Sequence, residues 1–354
     1  MRVAIYAIAR DEARHVRRFV DACRDADLVL VADTGSTDDT VDRLREAGAV
    51  VHSIAVSPWR FDVARNAALA LVPSHLDLCI ALDLDEILDP GWRGQLERAF
   101  DPEATRYRYE YTWSFDAEGR PALSFRGERI HVRNGYLWEY PCHEVVRWVG
   151  NGPERVVETR VAVGHYPDAG RSRGQYLDLL ALGARERPED PRMAYYYGRE
   201  LFFRQDCDAA IRELERYLGL PASIWREERS QAWIMIGRCH KAQDRAGESL
   251  GALVRAAQEA DRRECWVALA HEYYERQEWA LCYVAASRCL AITEPNGSFL
   301  NEGSAWGALP HDLASIAAYH LGIRDKALEH VQAALDFAPD DERLLGNLKL
   351  IRDS

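Results

Sequence analysis

Leu82-Asp83-Leu84-Asp85-Glu86 places three carboxylates at the end of an apolar run that begins at Leu76. That run has the length and bounds of a strand buried on both faces, as in a parallel sheet. If the extended backbone continues, Leu82 and Leu84 point to one side and Asp83 and Asp85 to the other. Beyond the carboxyl end of a parallel strand, such a pair occupies the crevice where open α/β sheets place their ligands. Two adjacent carboxylates repel unless a cation or hydrogen-bond donors compensate them. Oxygen-ligated Mn²⁺ or Mg²⁺ carrying a nucleotide diphosphate suits that chemistry. The competing reading is a strand running into a helix, with the acids as N-terminal caps.

The elements around this stretch alternate. Val3 to Ala9 is β-branched and apolar, and Val16, Phe19, Val20 and Cys23 then recur at helical spacing. Leu28 to Ala32 is a second strand, ending in Asp33-Thr34-Gly35-Ser36-Thr37-Asp38. Gly35 suits a sharp turn, and Ser36 and Thr37 are candidate caps of a helix running to Ala47. Ala49 to Val56 forms a third strand and Phe61 to Leu71 a helix before the Asp83 strand. Such alternation predicts a doubly wound parallel sheet with Asp33 and the Asp83/Asp85 pair on one rim.

Three segments carry a family resemblance. They are Val31-Ala32-Asp33-Thr34-Gly35-Ser36-Thr37-Asp38, Trp59-Arg60-Phe61-Asp62-Val63-Ala64-Arg65-Asn66 and Leu82-Asp83-Leu84-Asp85-Glu86. In order and spacing they resemble family 2 glycosyltransferases of the GT-A fold, over roughly the first half of the chain. The resemblance implies a sugar-nucleotide donor, a divalent metal and inversion at the anomeric carbon. Asp33 would then meet the nucleobase or ribose, and Asp62, Arg65 and Asn66 would line the nucleoside pocket. Asp83 would face ribose or metal, and Asp85 would bind the metal. The plainer readings are an Asx-turn for Asp33 and an i,i+3 helix pair for Asp62 and Arg65.

Downstream, Thr105 to Phe115 alternates aromatic and polar residues like a half-exposed strand. Ser124 to Val132, Glu144 to Val149 and Arg155 to Val163 read likewise, parted by turns at Asn134-Gly135 and Asn151-Gly152-Pro153. Pro141-Cys142-His143-Glu144 resembles a His-Glu motif of related transferases. An inverting transfer needs a base for the acceptor proton, so Glu144 is the candidate, with His143 orienting it or standing in for it. A structural pairing on a strand is the rival reading. His165, after the last strand, occupies the segment from which many GT-A enzymes take a third metal ligand, and neutral imidazole suits Mn²⁺. Arg171 and Arg173 in the following polar loop would offset diphosphate charge, unless that loop is a solvated linker.

From Gln175 the pattern turns helical and repetitive. Gly198 with Ala210, Gly237 with Leu253 and Ala256, Trp266 to Tyr273 with Pro295, and Leu313 to Pro339 match tetratricopeptide (TPR) repeats of wandering length. Asn296 to Pro310 interrupts them with a loop long enough to suggest a function. The Tyr and Trp residues of the array read chiefly as packing between helices.

The net charge of −12 and pI near 5.5 give a global field that does not attract nucleic acid or an anionic membrane. Eight scattered cysteines without a Cys-x-x-Cys pair read as small buried hydrophobes in a reducing compartment. Met1 to Arg10 is too short and too soon charged for a signal peptide, and no apolar run reaches membrane-spanning length, so a cytoplasmic protein is expected. The expected fold is an α/β GT-A domain with a doubly wound mixed sheet, residues 1–174, followed by an all-α TPR-like domain, residues 175–354. The expected function is a metal-dependent inverting glycosyltransferase. It would move a sugar from a nucleotide-diphosphate donor, a UDP-sugar for preference, to a macromolecular acceptor, protein or glycan ahead of DNA. The alternatives are glycosylation of hydroxylated DNA bases and a non-catalytic repeat scaffold with a decayed transferase domain. The repeats would recognise the acceptor or join two copies as a homodimer.

Overall fold

The computed structural model describes residues 1–116, 118–168, 176–296 and 298–354. Internal packing divides the chain into Met1–Gly183 and Ala184–Ser354, against an expected boundary after residue 174. The division falls inside one helix (Tyr176–Glu186).

Among the described residues the first unit holds ten strands: β1 (Val3–Ala9), β2 (Leu28–Asp33), β3 (Val50–Ser53), β4 (Leu78–Ala81), β5 (Glu86–Leu88), β6 (Arg106–Phe115), β7 (Pro121–Val132), β8 (Tyr136–Glu139), β9 (Val145–Trp148) and β10 (Val156–His165). Four helices lie among them: α1 (Val16–Cys23), α2 (Thr40–Glu46), α3 (Phe61–Leu71) and α4 (Trp92–Ala99). Eight strands make one mixed sheet in the order β3-β2-β1-β4-β7-β6-β10-β5, and β8 pairs with β9 as a separate ribbon. The β3-β2-β1-β4 half is parallel, as strand–helix alternation requires, while β7 runs antiparallel to both β4 and β6. Successive residues of β1 serve opposite faces. Val3, Ile5, Ala7 and Ala9 pack with α1, α2 and α4, whereas Ala4 and Tyr6 meet α3 and the β8–β9 ribbon.

At the carboxyl end of β4 the expected geometry is corrected. The backbone does not stay extended through Asp85. Leu84 and Asp85 sit in a turn in which Glu86 N–H donates to the Asp83 carbonyl at 3.0 Å, and pairing resumes only at β5. Asp83 and Asp85 therefore do not share one side of a continuous strand.

The second unit is helical: with Tyr176–Glu186 counted as α5, it comprises α6 (Pro191–Phe203), α7 (Cys207–Gly219), α8 (Arg226–Ala242), α9 (Ala246–Glu259), α10 (Arg263–Glu275), α11 (Trp279–Leu290), α12 (Leu309–His320), α13 (Arg324–Phe337) and α14 (Glu342–Asp353). Consecutive helices from α6 to α13 pack as four pairs. At the crossing the first helix carries a small residue: a Cβ on Gly198 would stand 2.7 Å from Leu214, and one on Gly237 3.0 Å from Leu253. Ala270 and Ser315, both fully buried, occupy the same phase in the third and fourth pairs. Seven residues beyond each of these positions the chain turns through a left-handed residue, at Gln205, Asp244, Gln277 and Gly322 (φ 62°, 58°, 57° and 72°). Four helical pairs thus repeat one local geometry. Among the described residues all eight cysteines are free and no helix is long and apolar enough to cross a membrane.

Gly127 of β7 lies directly opposite Tyr109 of β6, and a Cβ there would stand 2.4 Å from the Tyr109 ring, which is buried. Gly127→Ala is expected to overpack this contact and destabilise the first unit by about 1–3 kcal/mol. Urea unfolding followed by tryptophan fluorescence should show the loss; an unshifted midpoint would mean that the ring moves aside freely.

Candidate functional site

The carboxylates singled out by the sequence are held by arginines. Asp83 Oδ1 accepts from Arg65 Nη2 at 2.7 Å, and Arg129 Nη1 lies 3.5 Å from Oδ2. Arg65, only 4% exposed at its side chain, also donates through Nε to Glu144 Oε1 at 2.5 Å and stacks over Trp138 at 4.8 Å. Glu86 is fully buried; it accepts from Asp83 N–H (2.8 Å), the Tyr111 hydroxyl (2.7 Å) and Arg129 (3.1 Å). Burial alone would raise the Asp83 carboxyl, but Arg65 and Arg129 outweigh it and hold the group at about 2. Burial prevails at Glu86, which is raised in spite of Arg129. Nothing in the local sequence announced Arg129 or the Arg65–Glu144 contact, because the partners stand far apart in the chain.

The remaining expected site residues have local structural partners. The buried Asp33 carboxylate accepts from Gly35 N–H (3.1 Å) and Ser36 N–H (3.2 Å), closing an Asx-type turn that needs the left-handed Gly35 (φ 104°). Asp62 pairs with Arg60 through two bonds of 3.0 and 2.9 Å rather than with Arg65. Asn66 binds the main chain of Trp138 in both directions, Nδ2 to O and Oδ1 from N, each at 2.8 Å, tying α3 to β8. His143 sits at a positive φ of 49° with its ring 5.9 Å from Tyr176. Arg171 and Arg173 lie outside the described residues.

Asp85 and His165 do meet, with Nε2 and Oδ2 3.5 Å apart. Burial pulls the imidazole down, but its hydrogen bond to Asp85 outweighs this and leaves it above its ordinary value. Trp113 stacks on His165 at 4.5 Å, and Arg18 lies over Tyr166 at 4.5 Å. Together with Arg14 and His15 these side chains line an open cavity of ≈ 820 Å³. Among the described residues no three His, Cys, Asp or Glu side chains converge in a group able to hold a metal ion. Of the expected ligands, Asp85 and His165 stay together, whereas Asp83 is engaged by two guanidinium groups. This donor set does not fit a resident divalent metal.

In the helical unit the interrupting loop is built into the first helices of the pairs. Leu300 and Ala305 are buried, and the 3₁₀ turn Gly303–Trp306 follows. Arg262 donates to the Leu300 carbonyl (2.8 Å) and Arg263 to that of Ala305 (3.3 Å). Glu264 accepts from both Glu302 N–H and Trp306 Nε1, each at 3.1 Å. The Glu302 carboxylate lies between Gln231 Nε2 at 2.8 Å and Arg238, whose two nitrogens reach it at 3.1 and 2.8 Å. At the near end Phe299 meets Trp225 at 5.6 Å, and both rings line a cavity of ≈ 220 Å³ with Arg192, Tyr217, Ile224 and Glu228. Sequence reasoning flagged this loop by its length; the residues of α8 and α10 that hold it went unnoticed.

No family model matches the chain. Over 314 residues it is 27% identical to a TPR repeat-containing protein of Synechococcus elongatus, covering 82% of this chain and 75% of that protein. Among solved structures it is similar to YrrB, described as a TPR protein with an unusual peptide-binding site (13% identity, 49% of this chain and 82% of that one, TM-score 0.41). It is also similar to MamA (17% identity, 50% and 99%, TM-score 0.38). These findings overturn the expected glycosyltransferase. The similarity that spans most of the chain is to a protein named for its repeats, and no transferase family model is matched. The family 2 resemblance, the GT-A assignment, the enzymatic activity on protein, glycan or DNA, and the nucleotide-sugar donor are corrected together. An α/β unit and a unit of repeated helical pairs stand in their place.

Removing Arg65 would leave Asp83 and Glu144 without their shared cation. Arg65→Met is therefore expected to destabilise the first unit by about 3 kcal/mol, the lower end for a broken buried pair because Asp83 is 38% exposed. Denaturant unfolding at neutral pH measures it; a change under about 1 kcal/mol would assign the network no structural role.

In the second unit the Glu228 carboxyl, which accepts from Tyr217 at 2.9 Å, is pushed up by burial from 4.5 to about 7. Between those values the folded chain keeps a proton that the unfolded chain releases, so stability falls as pH rises from 4.5 to 7. Glu228→Gln should flatten this dependence and raise the helical unit's Tm at pH 8 relative to pH 4.5, as scanning calorimetry would record.

Proposed function

We propose that this chain is a non-catalytic repeat scaffold whose helical unit holds a peptide-like segment of a macromolecular partner. The observation that carries the reading is Ser298–Trp306. This irregular stretch of the chain lies across α8 and α10, and its carbonyls, an amide and a carboxylate are gripped by Gln231, Arg238, Arg262, Arg263 and Glu264. A helical face equipped to satisfy the main chain of an extended segment in cis has the chemistry to hold one in trans. Main-chain recognition confers general affinity, and pockets for individual side chains confer selectivity.

Support also comes from what the repeats leave open. The ≈ 220 Å³ cavity beside the loop is large enough for a single side chain, and Ile224 at its rim is 80% exposed. Repeat stacks bury their cores between neighbouring helices and present the remaining helix face as a continuous surface. In the first unit, by contrast, the acidic residues are engaged by arginines and backbone amides, which suits a structural role.

A panel of extended synthetic peptides of varied charge and aromatic content, titrated into the full-length chain by fluorescence anisotropy, tests the proposal. A subset should bind saturably with one-to-one stoichiometry. Absence of binding by every member, with the helical unit folded by circular dichroism, would overturn it.

A further inference from the structure

The second helical pair shows how this unit binds a carboxylate. Gln231 and Arg238, which grip Glu302, stand six residues before and one residue after Gly237. Gly198 holds the same place in the first pair: both glycines face a leucine of the following helix, and both precede a left-handed residue by seven positions. The residues equivalent to Gln231 and Arg238 are then Arg192 and Arg199. Seven residues apart, they lie on one helix face. Tyr196 stands between them and aligns both guanidinium groups, at 4.9 and 4.5 Å from its ring centroid.

The first pair therefore presents two oriented cations where the second presents one cation and an amide. Among the described residues Arg199 forms no ion pair. Glu228 faces the two arginines from α8, and its carboxylate accepts from Tyr217. The cavity walled by Tyr217, Ile224, Trp225 and Phe299 opens beside Arg192. A guanidinium matches a carboxylate through paired N–H donors, and a stacked guanidinium is already oriented for that contact.

We infer that Arg199, on the same helix face as Arg192, binds an acidic side chain of an extended partner peptide, with a neighbouring apolar residue of that peptide seated in the adjoining cavity. The inference rests on the scaffold reading. It commits to a side-chain carboxylate rather than a chain terminus, because Glu302 is gripped in mid-segment, with the main chain held on both sides of it at Leu300 and Ala305.

The probe is a fluorescein-labelled, C-terminally amidated peptide with the sequence of Ser298–Trp306, titrated into the full-length chain. The chain's own copy holds the second pair at high effective concentration, so the added copy is directed to the first. Arg199→Ala in the protein and Glu302→Gln in the peptide should each weaken binding about 10-fold or more, and combining them should add little further, the signature of a direct pair. Arg199→Lys, which keeps the charge and the helix, should weaken it less. Several outcomes overturn the inference. Arg199→Ala without effect, additive losses, or an unamidated Gln peptide that regains full affinity through its terminus would each do so. Binding that persists unchanged in Arg199→Ala would leave the scaffold reading standing. No binding by this peptide or by any of the panel would sink both.

Discussion

The close crossing of paired helices at Gly198, Gly237, Ala270 and Ser315 is the constraint on which the helical unit depends. A helix rotates about 100° per residue, so fixing the residue that faces its partner fixes the direction of every other. Once the small residue is turned inward, the positions six before and one after it are committed to a common face turned away from that crossing. Arg192 and Arg199, Gln231 and Arg238, and Glu264 and His271 occupy that face by arithmetic rather than by separate selection. The same phase places a left-handed residue at each interhelical turn, and three of the four are Gln or Asp rather than Gly. Each carries a backbone cost of about 1–2 kcal/mol, which the packed crossing offsets.

That phase explains why an irregular loop can be held so tightly. Apart from its 3₁₀ turn at Gly303–Trp306, Ser298–Trp306 has no helix or strand ladder to satisfy its polar backbone, and buried main-chain groups must find partners. Arginines and a glutamate supplied by α8 and α10 provide them, while Leu300 and Ala305 anchor the loop in the apolar interior. Recognition here works through groups common to any peptide, with one carboxylate contact adding selectivity. On the scaffold reading, the arrangement is a template for how the rest of that face engages a partner.

Legibility in the sequence followed the range of the interactions. The helices and the repeat phase were readable because Gly198, Gly237 and the alanines of the second helices act over a few turns of chain. The parallel half of the sheet was readable because each of its strands is a short apolar run next to a helix. The turn at Leu84-Asp85 was not, because an extended and a turned backbone accommodate the same Asp-x-Asp spacing. Nor was the Arg65 contact with Glu144, which joins residues 79 apart. Motif spacing records where a backbone bends; it does not record which cation the fold brings to a carboxylate. Asp33 illustrates this, since a residue that ends a strand and accepts two amides of its own turn leaves the same trace as one that awaits a ligand.

The two units put the same pair of chemistries to opposite uses. In the first, Asp83, Glu86 and Glu144 stand against Arg65 and Arg129, and burial raises the Glu86 carboxyl above its ordinary value in spite of Arg129. Carboxylates and guanidinium groups that face one another have less field left to attract a further ion, and removing a guanidinium leaves the carboxylates uncompensated. In the second, Arg199 is oriented by stacking on Tyr196, which fixes its direction through the face of the guanidinium rather than its edge. Stacking on an aromatic face leaves the guanidinium edge available, whereas a carboxylate partner occupies it. On the scaffold reading, what separates a structural arginine from a binding one is which part of the guanidinium the fold has used.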